Sequence, residues 1–172
     1  MLESKLVQKN LILISACLIG DYVRYDGKNK LINHPILKAW LEQDLIVSIC
    51  PEVAGGLEVP RPPAEIRRVT INTENSQSIK TKVLTKQSQD VTAAFTNGAQ
   101  KALAVCLKHN IKLAILTEGS PSCGSSLIND GYFRSKKIPG EGITTALLRK
   151  NNIKVYNQKQ LEEAFEFHKS LI

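Results

Sequence analysis

Short apolar runs separated by polar, turn-rich stretches set the pattern of this chain. Leu11–Ala16, Leu45–Ile49, Leu113–Thr117 and Ile153–Tyr156 are strand-length apolar segments, which predicts buried strands. Between them the period changes. Val91, Phe95, Gly98, Ala102 and Cys106 recur at spacings of three or four, so a helix over Asp90–Asn110 presents them on one face. Asp90 suits its N-cap and His109 its last turn. His34–Gln43 predicts another helix, with Pro35 in the first turn and Asn33 as cap. Ile143–Lys150 and Lys159–Ser170 predict two more.

Strands that alternate with helices imply parallel pairing and right-handed crossovers. The expected fold is α/β: a three-layer, Rossmann-like domain with a mostly parallel sheet. Pro51–Ile66 carries Pro51, Pro60, Pro62 and Pro63 and a Gly-Gly pair, which predicts an ordered functional loop outside the sheet. Val69–Asn72 and Ser78–Leu84 predict a small hairpin that turns near Glu74, Asn75 and Ser76, inside the same domain.

Three cysteines follow predicted strands: Cys17 after the first, Cys50 after the second, Cys123 shortly after the third. Parallel strands bring such positions to the C-terminal edge of one sheet, where open α/β folds bind ligands. Their neighbours are turn-forming: Gly20 and Asp21, Pro51 and Glu52, Pro121 and Gly124. Cys106 differs. It sits on the apolar face of its helix and is expected in the core.

Composition narrows what those thiols do. No apolar run in the 172 residues approaches a membrane span. Met1–Asn10 lacks the apolar segment of a secretory signal, so a cytoplasmic protein with reduced thiols is expected. Metal or catalytic roles then outrank disulfides. His34, His109 and His168 lie on predicted helices, and none is an obvious fourth ligand. Three thiolates without a fourth suit a [4Fe–4S] cluster with one open iron; a catalytic zinc with three cysteines and a water is the alternative. The net charge of +7 suits an anionic small-molecule partner. No block of five or six like charges appears and aromatics are only 5%, so no stable nucleic-acid partner and no membrane partner are expected.

Several segments carry a family resemblance. Ser15-Ala16-Cys17-Leu18, Arg24-Tyr25-Asp26-Gly27, Cys50-Pro51-Glu52-Val53-Ala54-Gly55-Gly56-Leu57, Pro60-Arg61-Pro62-Pro63-Ala64-Glu65-Ile66, Ser120-Pro121-Ser122-Cys123-Gly124 and Gly140-Glu141-Gly142-Ile143-Thr144 resemble the thiouracil desulfidase family, also catalogued as domain of unknown function 523. The likeness spans about Ile12 to Val155. It implies one desulfidase-like domain over residues 1–172 and a [4Fe–4S] cluster on Cys17, Cys50 and Cys123. The implied reaction is non-redox: hydrolytic replacement of C=S by C=O in thiouracil or a thiolated uridine nucleotide, with release of sulfide. The competing reading is a small-molecule or nucleotide-binding protein whose three-cysteine site, zinc or cluster, only holds loops together. Two positions depart from the family pattern. Val23 stands where relatives often carry a further cysteine, so such a cysteine is not a required ligand. Gly119 stands where a larger side chain is expected.

Around the cysteines, Glu52 is the expected general base, with Ser120 and Ser122 as relays or pyrimidine contacts. Arg24, Arg61, Gly124 and Ser125 are expected substrate contacts, the arginines as a phosphate clamp. The start of the Ile143 helix is a further candidate anion site. Glu118 is expected to order its loop.

Overall fold

A computed structural model describes residues 9–74 and 76–171. Most of the Met1–Asn10 reading, and Asn75 in the predicted turn, lie outside the described residues. β1 (Ile12–Ser15), β2 (Ile46–Ile49), β5 (Leu113–Leu116) and β8 (Lys154–Asn157) form a four-stranded sheet in the order β2-β1-β5-β8. All three pairings are parallel, as the alternating pattern requires. β1 and β5 occupy the centre, and every residue of both is buried.

The pleat sends successive side chains to opposite faces, and each face has its own core. Ile12, Ile14, Leu113 and Ile115 pack against Leu37 and Trp40 of α1 (Pro35–Glu42) and Leu161 and Ala164 of α5 (Leu161–Lys169). Leu13, Ala114 and Leu116 pack against Ala102 and Cys106 of α3 (Thr92–Lys108) and Leu148 of α4 (Ile143–Lys150). The result is the expected three-layer arrangement. Cys106 is core, 1% exposed, and burial pushes its thiol up to about 12.

Two caps differ from expectation. His34, rather than Asn33, caps α1, its Nδ1 accepting the Ile36 N–H at 3.3 Å. Asp90 stands one residue before the α3 cap position, held by Val91, yet its Oδ1 still accepts the Thr92 N–H at 3.0 Å.

The connections hold the larger differences. Pro51–Ala54 forms a short helix, α2, where only loop is expected. α2 lies directly on α3: a Cβ on Gly55 would overlap the Ala94 carbonyl, and one on Gly98 the Pro51 carbonyl. That backbone-to-backbone approach fixes Cys50 and Glu52 over the sheet edge. The hairpin is longer than predicted. β3 (Ala64–Thr73) and β4 (Ser76–Thr85) pair along their full length, so Ala64–Ile66 belong to a strand and the loop ends at Pro63. A second, unpredicted hairpin joins β6 (Leu127–Asn129) to β7 (Lys137–Pro139). Among the described residues no helix is long and apolar enough to cross a membrane.

Candidate metal centre and active site

The loops after β1, β2 and β5 meet at the C-terminal edge of the sheet. Register explains the meeting, since Ser15 aligns with Ile49 and Ile14 with Ile115. Cys17 lies in the 3-10 turn Ala16–Ile19 that follows β1, and Cys50 occupies the N-cap position of α2. Cys123 lies in a turn whose Gly124 N–H returns to the Ser120 carbonyl at 2.9 Å. A cavity of about 240 Å³ is lined by all three cysteines together with Arg24, Lys30, Glu52, Arg61, Thr117, Ser120 and Lys137. None of the cysteines is in a disulfide.

The Cys123 turn is anchored from two sides. The start of α4 holds one. Gly142 N–H donates to Gly124 O at 2.8 Å, Ile143 N–H to Pro121 O at 2.9 Å and Thr144 N–H to Ser122 O at 2.9 Å. Those carbonyls use the donors that an anion would need, so the helix start is not a phosphate site. Glu118 holds the other side. Its Oε1 accepts the N–H groups of Gly119, Ser125, Ser126 and Leu127. Its Oε2 accepts the Ser125 and Ser126 hydroxyls and Asn157 Nδ2. Burial pushes this carboxyl up, but the donors, Leu127 N–H foremost, outweigh it and hold the group at about 2. Glu118 orders its loop, as expected.

Glu52 reaches the cavity and is held on both oxygens. Arg61 Nε donates to Oε2 at 2.9 Å, and Nη2 lies 2.7 Å from the same oxygen. Ser120 Oγ donates to Oε1 at 3.3 Å while accepting the Ser122 and Cys123 N–H groups. The Arg61 guanidinium also donates to the Glu58 and Val23 carbonyls. Arg61 is therefore committed to Glu52 and the loop and is not free as a phosphate clamp. Arg24 lines the cavity and leans on Asp26 at 3.6 Å.

Three expected site residues are not brought to the cavity. Ser122 is fully buried and its hydroxyl meets Thr144 Oγ1 at 2.8 Å. Gly124 is packed against the Leu127 and Ser120 carbonyls. Ser125 is tied to Glu118 and Asn157. The turn that delivers Cys123 points its neighbours away. Gly119 is explained by its backbone, whose φ of +81° disfavours any side chain.

The structure adds residues the sequence did not single out. The Lys30 ammonium lines the cavity with no hydrogen bond or ion pair among the described residues, though its N–H is fixed to Cys17 O at 2.8 Å. Burial, then the nearby Arg24, pulls its pKa down. Lys137 Nζ donates to Gly119 O at 3.1 Å beside it. Thr117 and Ser15 also line the cavity. An isolated lysine or a strand-end hydroxyl carries no spacing signal; only register places them here.

The donor set decides what the cavity can hold. Burial raises the pKa of Cys17, Cys50 and Cys123 alike, so these thiols ionise only where a cation compensates them. Among the described residues no three Cys, His, Asp or Glu groups stand close enough to hold a single metal ion. Three thiols that line one cavity suit a cluster that offers each of them its own iron. The residues present fit a [4Fe–4S] group on Cys17, Cys50 and Cys123, with no fourth protein thiol.

Residues 12–160 match the family described as 2-thiouracil desulfurase. YbbK of Bacillus subtilis (strain 168), an uncharacterized protein, is 37% identical over 153 residues, covering 89% of this chain and 99% of that one. A solved structure of TudS, a [4Fe-4S]-dependent thiouracil desulfidase, superposes with a TM-score of 0.83 at 45% identity, over 95% of this chain and all of the other.

Proposed function

This chain belongs to the 2-thiouracil desulfurase family, and on that premise we propose that it is a [4Fe–4S]-dependent desulfidase that converts the C=S of thiouracil, or of a thiolated uridine nucleotide, to C=O and sulfide. The observation that carries the reading is one cavity lined by three free thiols and by the Glu52 carboxylate. Cys17, Cys50 and Cys123 would hold the cluster. When bound, it supplies a thiophilic Lewis acid that draws electron density from the thiocarbonyl carbon through sulfur.

The chain's own groups supply the rest. Glu52 Oε1 is the less encumbered oxygen, since Arg61 occupies Oε2. It takes a proton from the water that attacks the carbon, while Ser120 Oγ fixes its orientation. That proton is returned to sulfur as the C–S bond breaks, and the second water proton follows. One thiocarbonyl and one water become one carbonyl and one hydrogen sulfide, with no electron transferred. Arg61 is a positioning residue for Glu52. Lys30, with Lys137 and Arg24 beside it, makes the cavity positive, which suits a substrate that carries a phosphate.

The test is sulfide release from thiouracil and its thiolated nucleoside and nucleotide by anaerobically reconstituted protein. Brown protein with iron and acid-labile sulfide in about equal amounts and catalytic sulfide release are expected. Colourless protein with stoichiometric zinc after the same treatment would overturn the proposal.

A further inference from the structure

One buried hydroxyl faces a candidate ligand thiol. Thr117 Oγ1 lies 2.9 Å from Cys17 Sγ and has no other partner among the described residues. Ser15 Oγ accepts the Thr117 N–H at 3.0 Å, which fixes the backbone of Thr117 beside the thiol. Thr117 is 8% exposed and lines the cavity. Cys50 is served differently: its thiol faces the Val23 carbonyl, 3.8 Å away.

A cysteine that ligates iron is a thiolate and has no hydrogen to give. In that state the direction of the Thr117 contact is fixed, with oxygen donating and sulfur accepting. A buried hydroxyl hydrogen needs an acceptor, and here the sulfur is the one in reach. Hydrogen bonds to a ligating sulfur draw electron density away from the metal and tune its potential.

Resting on the cluster reading above, we infer that Thr117 is a positioning residue that donates a hydrogen bond to the Cys17 thiolate, makes the bound cluster a stronger electron acceptor and slows its loss. A non-redox desulfuration uses this through sulfur binding, since an electron-poor iron polarises the thiocarbonyl more.

The test uses anaerobically reconstituted holoenzyme of the wild type, Thr117→Val, Thr117→Ala and Thr117→Ser, with two readouts besides turnover. These are the cluster's reduction midpoint by spectroelectrochemistry and the rate of iron release to a ferrous chelator. Thr117→Val and Thr117→Ala are expected to shift the midpoint negative and to release iron about tenfold faster or more. Thr117→Ser, which restores the hydroxyl, is expected at the wild-type values. The inference is overturned if folded, loaded Thr117→Val matches the wild type in both readouts. Should Thr117→Val not load, a loaded Thr117→Ala at wild-type values overturns it equally, as does a Thr117→Ser variant that fails to hold the wild-type midpoint. Wild-type protein that takes up no iron and sulfide would overturn the cluster reading itself, a separate result from an unchanged variant.

Discussion

Replacing Glu118 by Gln keeps the size of the side chain that anchors the Cys123 turn and removes its charge. The amide oxygen can serve the Gly119, Ser125, Ser126 and Leu127 N–H groups in place of Oε1. The amide nitrogen then faces Asn157 Nδ2, which lies 2.6 Å from Oε2. Asn157 cannot simply turn over, because its Oδ1 already accepts the Lys159 N–H at 3.0 Å. Two N–H groups are left facing each other. A carboxyl held at about 2 rather than its ordinary 4.5 corresponds to about 3 kcal/mol. Partial exposure screens this to about 2 kcal/mol, or about 4–8 °C in Tm for a chain of this length. The sign follows from the depressed folded value. The contribution is fully present above the unfolded value near 4.5 and is lost as pH falls from there through about 2. Thermal unfolding of the metal-free, reduced proteins by circular dichroism, from pH 7 down to pH 3, reads both quantities. Glu118→Gln is expected to melt about 4–8 °C below the wild type at pH 7, with the gap narrowing as the solution is acidified. A gap under about 1 °C at pH 7, or one that stays constant with pH, would refute the reasoning.

Glu52→Gln should keep the visible spectrum of the cluster and lower kcat by about 100-fold or more, measured as sulfide release; an unchanged kcat would remove Glu52 as the base. Arg61→Lys loses the fork that holds Glu52 Oε2 and the Val23 and Glu58 carbonyls, so kcat should fall about tenfold or more while iron content stays at the wild-type level. Lys30→Met should raise KM for a thiolated nucleotide more than for thiouracil, and the difference should shrink at high salt; equal effects on both substrates would separate Lys30 from the phosphate.

The parallel sheet was legible because its strands are short, apolar and flanked by turn residues, and three of the four helices with periodic patterns, α1, α3 and α5, end within two residues of expectation, with α4 matching. What escaped was short or unpatterned. α2 is one turn that opens on a proline, and Pro51 reads as loop until the Gly55–Gly98 approach to α3 is seen. β6 and β7 are three residues each and mostly polar or half-exposed, so neither period nor burial marks them. At the site, the cysteines were legible because strand ends in a parallel sheet converge. Ser122, Gly124 and Ser125 read as site residues from the sequence because they adjoin Cys123, and adjacency says nothing about which way a turn points them. Arg61 reads as a substrate contact because only tertiary structure reveals that its partner is Glu52.

Which cysteines are needed for turnover is the most direct question to put to the protein. Sulfide released from thiouracil by anaerobically reconstituted Cys17→Ser, Cys50→Ser and Cys123→Ser, measured beside Cys106→Ala, separates cavity thiols from the core thiol. The three cavity variants should release none above background, while Cys106→Ala, altered only within the core packing of α3, should turn over like the wild type. Wild-type turnover in any of the three cavity variants would contradict the assignment of the cluster to this cavity.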